Sequence, residues 1–443
     1  MKRILILFFA TIVSPMFSNN YKVDHGIISV YAIDTTNNQI LIDQNSDLSL
    51  IPASCMKVVT TGAALEVLGP DYCFKTAIEY DGYIDSDKTL HGNLYIRGGG
   101  DPCLGSDRFT SWDNQLQLWS KSIQNFGINK ITGTVIGDAT LWESSLAVSS
   151  WLWEDLGNYY GAGACALSFH ENYYNVFFKP STTVGQNAII SKTVPPLFDV
   201  IHKNEIKIGP ENSGDQAWIF GCEYNLVQFM RGTIPLNSKE FSIKGAILDP
   251  ASYTAHILKH QLNENGIQVL DQVQISSERH LINTTESPPL NEIIYWTNHN
   301  SINLYAEHLL KQLGQEVYQE GSTKSGLQAV TNFWKDKGVD MSGFNMADGS
   351  GLSRKNLTTT KQLVKMLSIL KKSENFPIFL RSLVQKENNL RIKGGTMSGI
   401  KAIVGFYDHI AFAILINNCL NYKSVNQTLE LILNELKPKQ SNF

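Results

Sequence analysis

Alternating apolar and polar positions near both ends of the chain predict β-strands. Residues 27–34 alternate and are rich in β-branched side chains, and residues 39–43 continue the pattern after a short polar turn. The same texture returns over residues 401–406 and 409–416. Strands at both ends predict one sheet built from both termini, with the middle of the chain inserted into it.

Apolar positions spaced three and four residues apart predict helices in two regions. The first helix covers residues 54–68 and is stopped by Gly69-Pro70. The second region begins after residue 293, and its predicted helices are 301–313, 326–337, 360–370 and, at the chain end, 425–436. This mixture of helices and strands predicts the α/β (α+β) class.

The pattern of hydrophobic and polar residues changes twice in the middle of the chain. From about residue 74, strands predicted at 94–97 and 131–137 flank an amphipathic helix at 115–125, whereas residues 173–233 are strand-like and rich in turn residues. We therefore expect three parts, with these limits: an α/β domain of 19–72 and 285–443, an inserted α/β domain of 73–165 and 238–284, and a small β domain of 166–237.

The N-terminus has the order of regions found in a secretory signal peptide. Lys2 and Arg3 precede an apolar run over residues 4–13, and Ser18 suits a cleavage site. The run is too short to span a bilayer, so we expect residues 1–18 to be a signal peptide and the protein to be periplasmic or extracytoplasmic. An uncleaved anchor or a buried N-terminal segment is the alternative. At most peripheral membrane association is expected.

Composition and charge narrow the function. The 443 residues are 43% hydrophobic and 18% charged, which is typical of globular chains, and the net charge is −4. This slightly acidic balance argues against nucleic acid as a partner, because nucleic-acid binders carry a basic surface. Six cysteines permit disulfides in an exported chain, but their pairing cannot be deduced from the sequence.

Ser54-Cys55-Met56-Lys57 is the most informative motif. A hydroxyl and an amine three positions apart lie on one face of a helix, and a lysine with a lowered pKa can activate a serine nucleophile. Alone, the pattern is weak, because Ser368 and Lys371 repeat it on a predicted helix surface. An N-cap serine followed by a solvated lysine is the structural alternative.

Two further motifs follow in the order S-x-x-K, S-x-N and K-x-G. They are Ser301-Ile302-Asn303, where a loop meets a predicted helix, and Lys393-Gly394-Gly395-Thr396, just before the C-terminal strands. Together the three motifs resemble those of penicillin-interacting serine enzymes. The interval of 247 residues between Ser54 and Ser301 resembles the D-alanyl-D-alanine carboxypeptidase/endopeptidase family, the class C low-molecular-weight penicillin-binding proteins (peptidase family S13).

Other stretches of the chain share this resemblance, which covers about residues 25 to 420. They are Gly99-Gly100-Asp101-Pro102, Asp155-Leu156 with Tyr159-Tyr160-Gly161-Ala162, Gly232-Thr233-Ile234-Pro235, and Asp348-Gly349-Ser350-Gly351-Leu352-Ser353-Arg354. The resemblance implies a penicillin-binding-protein/β-lactamase-like transpeptidase domain that carries an inserted α/β domain and a small inserted β domain.

The resemblance also implies a role for each motif residue. Ser54 would be the nucleophile that attacks the carbonyl between two D-alanines, and Lys57 would accept its proton. Ser301 would relay a proton to the leaving D-alanine. Asn303 would hold the substrate amide, and Lys393 would attract the terminal carboxylate of the substrate.

The remaining implied site residues bind rather than react. The backbone N–H groups of Ser54 and Thr396 would form the oxyanion hole. Asp155 would face the free amino end of a diaminopimelate side chain, and Tyr160, Arg354 and Ser398 would help to line its pocket. The implied partners are peptidoglycan stem peptides and, as covalent inhibitors, β-lactam antibiotics. No cofactor is implied.

One position departs from the family pattern. Gly394 stands where the family has Thr or Ser, whose hydroxyl helps to bind the substrate carboxylate. Losing one charge-assisted hydrogen bond costs on the order of 1.5–3 kcal/mol. Weaker turnover, altered specificity or a degenerate, peptidoglycan-binding protein are therefore alternatives to an efficient peptidase.

Two other enzyme classes fit the sequence less well than the peptidase does. Residues 154–158 match the E-x-x-x-N spacing of a serine β-lactamase, but the long insertion fits the peptidase family. His256 and His260 lie four apart on a predicted helix, but no Glu follows the first, so the H-E-x-x-H pattern is absent and no metal is expected.

Overall fold

The computed structural model describes residues 20–236, 239–272, 278–387 and 389–437. The predicted signal peptide at 1–18 lies outside these ranges. Within them, no helix combines the length and the apolar character needed to cross a bilayer.

Strands and helices alternate along the described chain. The strands are β1 Ile27–Asp34, β2 Ile40–Gln44, β3 Lys75–Tyr80, β4 Tyr83–Ile84, β5 Thr89–His91, β6 Leu94–Arg97, β7 Lys130–Ile131, β8 Val135–Asp138, β9 Tyr173–Phe178, β10 Ile190–Val194, β11 Ile201–Asn204, β12 Lys207–Gly209, β13 Gln216–Phe220, β14 Val227–Pro235, β15 Phe241–Ala246, β16 Gln268–Val269, β17 His280–Glu286, β18 Val384–Gln385, β19 Leu390–Met397, β20 Ile400–Tyr407 and β21 Ile410–Asn417. The helices are α1 Met56–Leu68, α2 Trp112–Phe126, α3 Trp153–Leu156, α4 Pro250–Glu264, α5 Leu290–His299, α6 Asn303–Tyr318, α7 Thr323–Asp336, α8 Thr360–Leu370, α9 Phe376–Ser382 and α10 Tyr422–Glu435.

The expected sheet from both chain ends is present. Its order is β18-β19-β20-β21-β1-β2, so the first strand of the chain pairs antiparallel with the last one along its whole length. Helix α10 packs on one face of this sheet, while α1 and α8 lie in the cluster that covers the other face. Helix α1 is mostly apolar and is buried among the other helices from Met56 to Leu65.

The inserted part contains smaller sheets. One, in the order β17-β3-β6-β8, carries α2 and α4, and a second has the order β16-β7-β5-β4. Strands β9 to β15 form two further sheets, as the turn-rich sequence of this region predicted. One hydrophobic cluster joins the α/β and β parts of the insertion. The exact limits of the three domains stay a prediction.

The structure corrects two predicted elements. Residues 131–137 do not form one strand: Gly133 turns the chain, and β7 and β8 enter different sheets. Lys393 does not precede the C-terminal strands but lies within one of them, β19. The two glycines after Lys393 have low strand propensity, so the sequence did not predict a strand there. The strand forms nevertheless, because eight of its residues pair with β20.

Candidate active site

Ser54 lies at the point where the chain turns into the buried helix α1. A short 3-10 turn, Ala53–Cys55, leads into the helix, and Ala53 adopts a positive φ of 47°. Gly351 fits against this turn because it lacks a side chain: a Cβ there would lie 1.9 Å from the Ala53 carbonyl oxygen. Cys55 is buried beside Ser54, and burial raises the pKa of its thiol to about 12.

Lys57 is fully buried one helical turn after Ser54. Its Nζ lies 3.2 Å from Ser54 Oγ, 2.6 Å from Asn303 Oδ1 and 2.7 Å from the Ser350 carbonyl oxygen. Burial, followed by repulsion from Lys393, lowers the pKa of Lys57 to about 7. A neutral amine has two N–H bonds and one lone pair. Donation to the two oxygens therefore directs the lone pair toward the serine hydroxyl.

Sequence reasoning missed the acidic support beneath Lys57. Glu307 is buried, and its carboxylate accepts hydrogen bonds from the backbone N–H groups of Gly349 and Ser350 at 3.0 and 2.8 Å. It thereby holds the Ser350 carbonyl that binds Lys57. Burial, reinforced by nearby Asp348, raises the pKa of Glu307. The sequence did contain one indication of this role, because Glu307 lies four residues after Asn303 and therefore on the same face of α6.

Asp348 organises the loop of residues 348–356, which includes the two N–H groups that Glu307 binds. Its carboxylate accepts hydrogen bonds from the Trp151 indole at 2.8 Å and from the backbone N–H of Gly351 at 2.7 Å. Asn356 donates to the same carboxylate at 2.8 Å. The sequence singled out this stretch only by resemblance, and the structure shows that it joins the inserted part to the loop beside Lys57.

Ser301 and Lys393 form a second hydroxyl–amine pair. Lys393 Nζ donates to Ser301 Oγ at 2.9 Å, and burial lowers the pKa of Lys393 to about 8. Ser301 has a positive φ of 59° just before α6 begins. Such strained backbone in a non-glycine residue is concentrated at functional sites.

Asn303 is held from both sides at the first position of α6. Its Oδ1 accepts from Lys57, and its Nδ2 donates to the Tyr160 carbonyl oxygen at 2.8 Å. Asn303 therefore links Lys57 to the loop of the insertion that carries Asp155 and Tyr160.

The edge of β19 closes the site opposite Ser54. A Cβ at Gly395 would lie 2.9 Å from the Ser54 backbone nitrogen, so only glycine lets the strand come this close. A Cβ at Gly394 would meet no atom within 4 Å. Thr396 is exposed on the same edge, where Lys401 donates to its hydroxyl at 3.0 Å.

A cavity of about 340 Å³ opens above Ser54. It brings together most of the predicted site residues, and its lining comprises Ser54, Leu152, Glu154, Asp155, Tyr160, Ser301, Asn303, Gly351, Leu352, Arg354, Thr396, Met397 and Ser398. Lys57 and Lys393 lie beneath this lining. All the predicted residues thus meet in one place, although their roles stay predictions.

Asp155 and its neighbours form the side of this cavity away from β19. Tyr160 donates a hydrogen bond to Asp155, and the guanidinium of Arg354 lies 3.4–3.5 Å from the Ser398 carbonyl oxygen. Burial, followed by the neighbouring Glu154, raises the pKa of Asp155, and burial and Asp155 raise that of Tyr160. The result is a polar pocket whose lining includes the carboxylates of Glu154 and Asp155 and the guanidinium of Arg354.

A serine hydroxyl beside a buried lysine of lowered pKa, with a second serine–lysine pair whose lysine lies on an antiparallel sheet, is the arrangement expected of a serine acyl-transfer enzyme of the penicillin-interacting class. The family model described as "D-Ala-D-Ala carboxypeptidase 3 (S13) family" matches residues 18–436. The chain therefore belongs to this family, and the class of enzyme expected from the sequence, a serine-type D-Ala-D-Ala carboxypeptidase, is confirmed.

Individual relatives agree with the family assignment. The chain is 26% identical to a D-alanyl-D-alanine carboxypeptidase of Actinomadura sp. (strain R39), over 89% of this chain and 78% of the relative. It is also 26% identical to the D-alanyl-D-alanine carboxypeptidase DacB of Haemophilus influenzae, over 91% and 89%. The crystal structure of penicillin binding protein 4 from the same organism matches with a TM-score of 0.79 at 23% identity, over 94% and 97%, which confirms the expected fold.

Proposed function

We propose that this enzyme removes the terminal D-alanine from peptidoglycan stem peptides through an acyl-enzyme on Ser54. The observation that carries the proposal is the arrangement of Lys57 Nζ, whose hydrogen bonds to Asn303 and Ser350 leave its lone pair for Ser54 Oγ. A peptide cross-link with the same D-alanyl carbonyl would fit this chemistry as well, so endopeptidase activity belongs to the proposal.

In the first step, Ser54 Oγ attacks the carbonyl carbon between the two D-alanines while its proton passes to Lys57. The carbonyl oxygen becomes an oxyanion, which the backbone N–H groups of Ser54 and Thr396 would stabilise. The closeness of β19 to the start of α1 at Gly395 supports this assignment.

Collapse of this intermediate breaks the C–N bond and releases D-alanine. Its amine needs one proton, and Ser301, hydrogen-bonded to Lys393, is placed to relay it. Lys393 would also attract the substrate's terminal carboxylate. Water then attacks the ester on Ser54, with proton transfer through the same lysine–serine groups, and yields the shortened stem peptide with a free carboxylate.

The pocket around Asp155 supports a cationic group on the third residue of the stem peptide. The carboxylate of Asp155 would pair with a free amino group such as that of diaminopimelate, while Tyr160 and Ser398 supply hydrogen-bonding atoms. Arg354, on the rim, would bind the carboxylate of the same side chain.

The first experiment is intact-mass analysis after incubation with benzylpenicillin. A β-lactam ring opened by Ser54 leaves no departing group, so we expect one stable adduct on the wild-type protein and none on Ser54→Ala. Rapid hydrolysis of the antibiotic would instead favour a β-lactamase. Neither adduct nor hydrolysis from folded protein would mean that the site has lost its chemistry.

The proposed compartment is periplasmic or extracytoplasmic. The charged and apolar N-terminal residues support it, as does a substrate that lies outside the cytoplasm. Fractionation of cells that produce the full chain, followed by N-terminal sequencing of the mature protein, tests it. Recovery in the cytoplasm with Met1 retained would contradict it.

A further inference from the structure

A second cavity lies beside the active site, lined by residues of both the inserted α/β domain and the small β domain. Its volume is about 280 Å³, and its lining comprises Asn158, Tyr159, Tyr160, Asn175, Asp215, Ala217, Trp218, Ser242, Ile243 and Lys244. Tyr160 lines both this cavity and the one above Ser54. The two are therefore neighbouring parts of one surface.

The lining combines exposed aromatic faces with polar groups. Tyr159 is 50% exposed and Trp218 is 42% exposed, although side chains of this size are usually covered. Lys244 is exposed, and its ammonium lies 4.4 Å from the centre of the Tyr173 ring and 5.6 Å from that of Tyr159. Asp215 is exposed as well. The lining of this one cavity thus offers aromatic surface, one cation and one anion.

This combination matches the chemistry of a sugar ring. A pyranose has an apolar face that packs on aromatic rings and hydroxyl groups that need both donors and acceptors around its edge. An N-acetyl group adds a carbonyl that Lys244 can bind and an N–H that Asp215 can accept. A purely peptidic ligand would not need two exposed aromatic faces at this distance from the reacting carbonyl.

We propose that this cavity is a subsite for an N-acetylhexosamine of the glycan to which the stem peptide is attached. The inference rests on the proposed function, because the peptide bound at Ser54 is what brings the sugar to this side of the enzyme. The pocket of Asp155 and Tyr160 takes the third residue of the stem. Because Tyr160 lines both cavities, the residues that precede the third one would run past Tyr160 toward Tyr159 and Trp218.

The test compares two soluble substrates that differ only in the sugar. One is a stem pentapeptide, and the other is the same pentapeptide on its N-acetylglucosaminyl-N-acetylmuramyl disaccharide. For the wild-type enzyme, we expect the disaccharide to lower KM by about three- to tenfold with kcat unchanged. Trp218→Ala should abolish this difference without changing kcat/KM for the free pentapeptide, and Trp218→Tyr should restore part of it.

The matched control is Tyr83→Ala, which removes another exposed aromatic side chain, outside this cavity, and should leave the disaccharide effect intact. Equal KM values for both substrates in the wild type would overturn the proposal, as would an equal loss on both substrates in Trp218→Ala. The rate of acylation by benzylpenicillin shows that each variant is folded. If the wild type acylates but cleaves neither peptide, the proposed function fails, and this subsite fails with it.

Discussion

At the scale of single residues, burial makes it easier for Lys57 to lose its proton. Lys57 has no exposed surface, and its pKa falls to about 7 because the charged form loses its hydration and is repelled by Lys393. Burial also lowers the pKa of Lys393, but only to about 8. Lys57 is therefore expected to lose its proton at a lower pH than Lys393 does.

This difference predicts a bell-shaped pH profile for acylation. The rate should rise through about pH 7, as Lys57 becomes neutral, and fall above about pH 8, as Lys393 loses the charge that attracts the carboxylate. The second-order rate constant for benzylpenicillin, measured from pH 5 to 10, checks this. Lys393→Arg keeps its charge throughout that range and should lose the alkaline limb. A flat profile in the wild type would contradict the assignment.

Replacing Gly394 with threonine is predicted to increase the peptidase activity. A Cβ there would meet no atom within 4 Å, so Gly394→Thr fits without repacking and restores a hydroxyl at the edge of β19. We expect kcat/KM for a D-Ala-D-Ala peptide to rise on the order of tenfold, since one charge-assisted hydrogen bond is regained.

The control for that substitution is Gly394→Val, which has nearly the same shape without the hydroxyl. Both variants should be slightly more stable than the wild type, because a β-branched residue suits an exposed strand position better than glycine does. If Val raised kcat/KM as much as Thr, the gain would come from strand rigidity rather than from the hydrogen bond.

At the scale of elements, the site is the meeting of three secondary structures whose contacts set its geometry. The turn that leads into helix α1 carries Ser54 and α1 itself carries Lys57, α6 begins at Asn303, and β19 supplies Lys393. Helix α6 also carries Glu307 on the turn after Asn303. One helix therefore positions the Asn303 amide that accepts from Lys57 and, through Glu307, holds the Ser350 loop whose carbonyl oxygen also accepts from Lys57. A shift of any one element would separate groups that act together.

Gly395→Ala tests how closely β19 must approach α1. The added Cβ would lie 2.8 Å from the Pro52 carbonyl oxygen and 2.9 Å from the Ser54 nitrogen, so the strand must move away. We expect the acylation rate to fall by roughly 100-fold, because an ångström of misplacement has that effect on a positioned reaction.

Gly394→Ala is the matched control for this substitution, since it adds the same methyl group to the adjacent residue in open space. It should acylate at close to the wild-type rate. Equal loss in both variants would show that the effect arises from the strand in general rather than from the contact with Ser54.

At the scale of the whole molecule, a buried polar seam holds the insertion against the sheet domain. Lys311 on α6 is 2% exposed and donates to the carbonyl oxygens of Ser145 and Ala164 at 2.6 and 3.1 Å, with Glu143 at 3.4 Å. The backbone between those carbonyls carries Asp155 and Tyr160. The position of the substrate pocket therefore depends on contacts made outside it.

Lys311→Ala should destabilise the protein and disturb this pocket. Removing the ammonium takes away the donor to the carbonyl oxygens of Ser145 and Ala164 and the ion partner of Glu143, at a cost of about 3–5 kcal/mol. Thermal unfolding should show a melting temperature lowered by at least about 4 °C. Lys361→Ala, which breaks an exposed pair with Asp47, should change it little. Equal shifts would contradict a structural role for the seam.

The sequence alone determined the strands at the two chain ends, the helix after Ser54 and the three catalytic motifs. These are local patterns: alternation sets a strand, and Ser54–Lys57 and Ser301–Asn303 must be close in sequence because each pair shares one turn of backbone. The family followed from the order and spacing of those motifs.

Only the tertiary structure decided how these pieces work together. Ser54 and Ser301 are 247 residues apart, and their approach depends on packing of α1 against α6, which no local pattern encodes. Burial set the pKa of Lys57, pairing with β20 made Lys393 part of a strand, and the fold of the insertion brought Asp155 to the cavity. Residue types specify the available chemistry, whereas distances and desolvation, which activate it, arise from long-range packing.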